Sequence, residues 1–184
     1  MHTVIATMIE KMSGVIDSYK RELSKVRTGR ASISLLDGLR VEAYGSIMPL
    51  SQVGTITVPE SRLIQIQAWD TKLLGAIERA IHKSGLGLNP VNDGRLIRVA
   101  IPQLTEDRRK DLVKQIKKVT EEFRVGVRNA RRDAIEELKT LKNDKHLTED
   151  ELHRLQEEAQ KETDTFVKKI EALMAEKDRE VMEV

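Results

Sequence analysis

Apolar residues recur every three or four positions toward both ends of this chain, and every second position in between. Near the start, Met8, Met12, Val15, Tyr19, Leu23 and Val26 are spaced four, three, four, four and three residues apart, which predicts one apolar helix face. Thr28-Gly29 stands where a left-handed C-terminal cap belongs. The same period returns from Thr105 through Leu112, Ile116, Val119, Phe123, Gly126, Ala130, Ala134, Leu138 and Leu141. Thr105 supplies an N-cap, and Glu106 and Asp107 sit in the first turn, where the helix dipole favours carboxylates. The pattern predicts a helix of roughly 38 residues, about 57 Å long. Asn143-Asp144-Lys145-His146 breaks it. Thr148 and Glu151 then form a capping box ahead of a third stripe, Leu152, Leu155, Ala159, Thr163, Phe166, Ile170 and Leu173. A helix that long is not stable alone in water, so the three stripes are expected to face one another in a three-helix bundle.

Between the first two stripes, residues 31–103 have a different rhythm. Leu39 to Tyr44 alternates and ends at a Gly45-Ser46 turn; Val53 to Val58, Leu63 to Trp69 and Leu96 to Ile101 are further strand-like runs. Pro49 and Pro59 punctuate them. Asp70-Thr71 caps a helix running to Ser84, with Leu73, Leu74, Ile77, Ala80 and Ile81 on one side and Gly85 at its end. Asn89-Pro90 and Asn92-Asp93-Gly94 are turn sequences. The fold class expected is therefore α+β: a discontinuous bundle from residues 1–29 and 105–184 with a small α/β domain inserted at 31–103.

Composition narrows the function class. The chain has no Cys, so neither a disulfide framework nor a thiolate metal site exists. No run is long and apolar enough to span a bilayer, and the first residues lack a secretory signal. Both features suit the cytoplasm. Charge is unevenly spread. Lys and Arg outnumber Asp and Glu by 13 to 9 in residues 1–104 and by 10 to 6 in 105–133, whereas acids lead by 15 to 9 in 134–184. Such a division fits either a solvated charged side or an anionic partner.

Enzymatic and metal chemistry find little support. His146 and His153 are seven residues apart rather than four, so they do not share a helix face as ligands would. Gly85-Leu-Gly87-Leu-Asn-Pro90 lacks the following Gly-Lys-Ser/Thr of a phosphate loop and fits a turn better. No cofactor is implied, and no catalytic pair is discernible. The arginines differ. Arg124, Arg128 and Arg131 follow at four and three residues with Arg132 beside them, mid-helix, where dipole compensation does not apply. Lys20, Arg21, Lys25, Arg27 and Arg30 add charge on the first helix and its junction. These cations either pair with the acidic third helix, for example with Glu157, Glu158 or Glu162, or bind phosphate oxygens. With five aromatic residues available, folded RNA is a better target than a single strand read by base stacking.

Several long segments in order carry a more specific signal: Ser24-Lys-Val-Arg-Thr-Gly-Arg-Ala-Ser32, Gly87-Leu-Asn-Pro90 with Asn92-Asp-Gly94, Pro102-Gln-Leu-Thr-Glu-Asp-Arg-Arg-Lys-Asp-Leu112, and Val127-Arg-Asn-Ala-Arg-Arg-Asp133. Together they resemble the ribosome recycling factor family across nearly the whole chain. The resemblance implies an L-shaped molecule of roughly transfer-RNA outline that binds the bacterial ribosome after termination. With elongation factor G, which hydrolyses GTP, such proteins separate the subunits and free messenger RNA and deacylated transfer RNA. It also implies that Arg27, Arg30, Arg128, Arg131 and Arg132 face large-subunit ribosomal RNA, with Arg108, Arg109 and Lys110 as additional basic contacts. The insert would face elongation factor G and pivot at Gly29, Arg30, Ala31 and Ser32 and at Pro102, Gln103, Leu104 and Thr105. Two residues depart from the family pattern: Gln103 replaces a common second proline, and Ala43 a frequent aromatic. A monomer is expected, without a membrane partner. The rival readings are a scaffold built on intermolecular coiled coils, which would need an unbroken heptad, and a nucleotide hydrolase, which would need a phosphate loop.

Overall fold

The computed structural model describes residues 2–183, and the chain splits into two compact units. One comprises the residues up to Thr28 and from Thr105 onward; the other is Gly29–Leu104.

The first unit holds three helices, α1 (Thr3–Lys25), α3 (Glu106–Asn143) and α4 (Glu149–Met182), each packed on the other two. The starts of α3 and α4 are capped as the sequence predicts. Thr105 Oγ1 accepts the Arg108 N–H at 3.3 Å, and Thr148 and Glu151 close a reciprocal capping box. The seam runs through Met8, Met12, Tyr19 and Leu23 of α1, Leu112, Ile116 and Leu138 of α3, and Leu155, Phe166 and Ile170 of α4, all buried. At its centre the fully buried Tyr19 hydroxyl lies 2.7 Å from Thr120 Oγ1, which itself donates to the Ile116 carbonyl at 2.7 Å. Both buried hydroxyls are thereby satisfied, and burial pushes the Tyr19 phenol above its ordinary pKa.

Several boundaries differ from expectation. Val4, Ile5 and Ile16 join the α1 stripe, while Val15 is only half-buried. On α3, Thr120 and Val127 take core positions that periodicity gave to Val119 and Gly126. Helix α1 ends at Lys25 with Val26 already extended, so Thr28-Gly29 is not its cap. Gly29 instead has φ +77°, and a Cβ there would stand 3.0 Å from Leu104 Cγ, so the entering and leaving chains lie side by side. At the other end, α3 closes with the Lys145 N–H on the Lys142 carbonyl and the His146 N–H on the Leu141 carbonyl. That is a Schellman pattern with Lys145, not glycine, in the left-handed position at φ 62°.

The second unit has six strands where four are legible in sequence. Strands β1 (Arg40–Ala43) and β2 (Ser46–Pro49) form a hairpin whose turn holds Tyr44 at φ 51° and Gly45 at φ 75°. Strands β3 (Gly54–Glu60), β4 (Leu63–Ala68), β5 (Asn89–Asn92) and β6 (Ile97–Ala100) make an antiparallel sheet in the order β3-β4-β6-β5. Asn89–Asn92 is thus a strand and not the turn its Asn-Pro sequence suggests. Its proline is tolerable because β5 is an edge; Pro59 sits likewise on the opposite edge, at a register shift in β3. Ile64 faces Val99 and Ile66 faces Ile97, all fully buried, and α2 (Leu74–Lys83) adds Leu74, Ile77 and Ile81 to the same core. The Ala31 N–H donates to the Ser61 carbonyl and the Ile101 N–H to the Arg62 carbonyl, both at 2.8 Å. Both ends of the insert are therefore pinned beside one turn, β3–β4, which is how a domain is spliced into a helical unit without parting its helices.

Two glycines separate local from tertiary constraint. Gly14 lies mid-α1 with open space where a Cβ would be, whereas a Cβ at Gly54 would fall 2.6 Å from the Gln67 carbonyl oxygen across the sheet. Gly14→Ala should stabilise by about 0.5–1 kcal/mol. Gly54→Ala should destabilise the insert by roughly 1–3 kcal/mol. Urea unfolding followed by circular dichroism, together with Trp69 fluorescence for the insert, checks both signs.

Candidate nucleic-acid interface

The buried stripe of α3 confines its other residues to the opposite side. With 3.6 residues per turn, Lys110, Lys117 and Arg128 point within about 20° of one direction, and Lys114 and Arg132 lie about 40° from Arg128. All five are exposed. The result is a mainly cationic line from Lys110 to Arg132, about 33 Å long at 1.5 Å per residue, with the exposed Glu121 as the one acid between them in the same direction. Lys114 and Lys117 are its unforeseen members; their spacing of 18 and 11 residues from Arg132 and Arg128 is the signal that reveals them.

The arginines named from sequence separate in role. Arg124 keeps 22 % of its side chain accessible; Nη1 stands 3.1 Å from Glu121 and Nη2 3.9 Å from Glu171 on α4. It ties α3 to α4. Arg128 shares Glu121 at 3.1 Å but keeps 53 % of its side chain exposed. Arg131 sits at the α3–α4 seam, where Nη1 donates to Gln160 Oε1 at 2.7 Å, and Gln160 donates onward to Asp164 at 2.7 Å. Its immediate partner is a neutral amide that leaves the guanidinium charge in place. Arg132 is exposed and makes no salt bridge within 4 Å among the described residues. The acids that α4 supplies to this face thus differ from Glu157, Glu158 and Glu162, the partners that helix-surface pairing suggested.

The remaining candidates lie elsewhere. Tyr19 meets Thr120 and Gly14 precedes a residue level with Gly126, so α1 and α3 run antiparallel. Arg27 follows the end of α1 and is exposed, as is Arg30 in the insert unit. Arg108, Arg109 and Lys110 occupy the first turns of α3; the Arg109 N–H closes on the Thr105 carbonyl at 3.0 Å, and Lys110 pairs with Glu106 at 2.8 Å. This group stands about 30 Å along α3 from Arg128–Arg132 at 1.5 Å per residue. The candidates on α3 therefore form two stations joined by Lys114 and Lys117.

The histidines do not converge. His146 lies in the α3–α4 turn, and His153 Nδ1 faces Glu157 at 3.4 Å. Among the described residues no cluster of three potential metal ligands occurs, and no helix is long and apolar enough to cross a membrane. The glycine-rich Gly85–Pro90 segment leads from α2 into β5, of which Asn89 and Pro90 are the first residues.

The hydrogen bond from Arg124, followed by the charge of Arg128, holds the Glu121 carboxyl below the usual glutamate range. Its contribution is therefore present at neutral pH and fades as pH falls through that depressed value. Arg124→Ala should let the Glu121 pKa rise, read by NMR titration of its carboxyl carbon, and should cost stability through lost packing of the arginine stem. Arg132→Ala should leave the Glu121 titration unmoved.

Residues 19–182 match the ribosome recycling factor family. The chain is 59 % identical to the ribosome-recycling factor of Desulfotalea psychrophila and 48 % identical to that of Syntrophobacter fumaroxidans, each over the full length of both chains. Among solved structures, it resembles a solution structure of the ribosome recycling factor with TM-score 0.75 and 42 % identity, each chain fully covered. It also resembles, with TM-score 0.65 and 43 % identity over 98 % of this chain and 97 % of the other, the T. thermophilus ribosome recycling factor described with E. coli elongation factor G bound to the E. coli post-termination complex. A capped three-helix unit with an antiparallel insert and a cation-lined long helix, matched by sequence along nearly its whole length, places this chain in the ribosome recycling factor family.

Proposed function

We propose that this protein recycles ribosomes after termination by anchoring its helical unit on large-subunit ribosomal RNA through the cationic line of α3. Arg128, Arg131 and Arg132 form one station and Arg27, Arg108, Arg109 and Lys110 the other, with Arg30 of the insert unit as a separate contact. The single observation that carries the reading is the exposed face of α3, where guanidinium groups stand over a core that leaves that side no packing role. Phosphates spaced along folded RNA suit such a line because each neutralised phosphate releases counterions. The 38-residue helix supplies stiffness, since its apolar side is covered along its length.

In this reading elongation factor G acts on the insert, and its hydrolysis of GTP drives the step. The chain contributes binding and leverage and no bond-breaking chemistry. Movement is taken up at residues 29–32 and 102–105, where the two units join. Splitting of the subunits then frees messenger RNA and deacylated transfer RNA. The protein works as a cytoplasmic monomer, because the apolar faces of its long helices are spent within the bundle and an intermolecular coiled coil would have none left.

Breakdown of purified post-termination complexes with elongation factor G and GTP tests this. Arg131→Ala and Arg132→Ala should each slow splitting by about tenfold or more through loss of a phosphate contact, with the helical circular dichroism unchanged. Full activity in both variants would remove the station from the mechanism. Pelleting of the chain with ribosomes across a salt series should show affinity falling with salt, and a log–log slope shallower by about one in Arg132→Ala.

A further inference from the structure

The insert carries a second cationic feature that RNA anchoring through α3 does not use. In the hairpin, Val41 and Ala43 turn into the core, so Arg40 and Glu42, and Ile47 opposite Glu42, face outward. The flank of α2 beside them presents Ala76, Arg79, Ala80 and Lys83. Between hairpin and helix runs a groove of about 310 Å³. An adjoining depression of about 350 Å³ shares Arg40, Ala80 and Lys83 and extends toward Asp37 and Leu86. The walls are already set. Tyr44, at the hairpin tip, donates its hydroxyl to Asp70 at 2.8 Å, and Asp70 caps the turn leading into α2 through the Lys72 N–H at 2.9 Å. An occupant would spend little on ordering this site.

Its chemistry is mixed. Arg79 and Lys83 are one helical turn apart with Arg40 across from them, and among the described residues none of the three makes a salt bridge within 4 Å. Ile47 leaves 69 % of its surface exposed beside the two alanines. A sugar-phosphate backbone would meet the cations but would leave Ile47 uncovered, and Glu42 and Asp37 disfavour a ligand that is anionic along its whole length. A protein segment with carboxylates on either side of an apolar side chain satisfies both halves of the groove. We propose that the groove between the β1–β2 hairpin and α2 is a docking site for an acidic segment of a protein partner, with an apolar side chain against Ile47 and Ala80 and carboxylates on Arg40, Arg79 and Lys83. This goes beyond the recycling reading and does not depend on it.

Selection of a displayed random-peptide library on the full chain tests the site. The enriched peptides are expected to carry Asp and Glu around one aliphatic or aromatic residue. As synthetic fluorescent peptides they should bind the doubly substituted Arg79→Glu, Lys83→Glu chain about tenfold more weakly or worse. Both positions are exposed, and unchanged circular dichroism would confirm that the variant folds. Ile47→Asp should weaken the same peptides while leaving ribosome pelleting as it was. The proposal is overturned if selection returns no binding peptide, if the peptides show no excess of acidic residues, or if they bind the charge-reversed chain equally well. It is also overturned if a uridine oligonucleotide displaces them and loses its own binding in that chain.

Discussion

A helix of 38 residues keeps its shape in water only when its apolar side is covered, and in this protein α1 and α4 do the covering. The rest of the first unit follows from that requirement. Once one side of α3 is committed to the seam, the other can hold cations at no cost to packing, and the stiffness that packing confers keeps those cations in a line. Buried hydroxyls at Tyr19, Thr120 and Thr163 interrupt the seam without weakening it, because each finds a partner within the bundle.

Charge on α3 is not uniform in purpose. Arg124 and Arg128 share one carboxylate, yet the first is drawn into a brace between helices while the second keeps its outer surface open. The difference is one of angle. Four residues turn the helix by about 40°, enough to move a guanidinium from the edge of the seam to the solvent side. Arg131 reaches back to the seam, but it meets an amide there, so its charge is oriented and not cancelled.

What could be read from sequence was whatever is local. Helix periods, the Thr105 and Thr148 caps and the helix of the insert all depend on residues within a turn or two of one another, and apart from Val15, Val119 and Gly126 at the edges of the stripes they stand where the pattern put them. Strands β2 and β5 were illegible because Ser46–Pro49 and Asn89–Asn92 have little strand character of their own and are held by β1 and β6 across the ladder. The end of α3 was legible in Asn143-Asp144-Lys145-His146, but the residue that closes it was not, because the left-handed position is filled by Lys145 where glycine would have announced it. Among the candidate arginines, the sequence showed the stripe but not which members the acidic helix would take. That depends on the level at which α4 runs past α3, and Gln160 and Glu171 rather than Glu157 or Glu162 arrive at the contact.

The prolines at the two rims of the insert's sheet have a consequence for the molecule's behaviour in a crowded cell. Four strands left open at both sides form a template on which foreign extended chains, or other copies of this one, could stack. Pro59 and Pro90 each delete an amide donor from an outer strand, and the irregular register beside Pro59 disturbs the repeat that a growing ribbon would need. A domain with such rims is thus discouraged from sticking to other chains through its backbone.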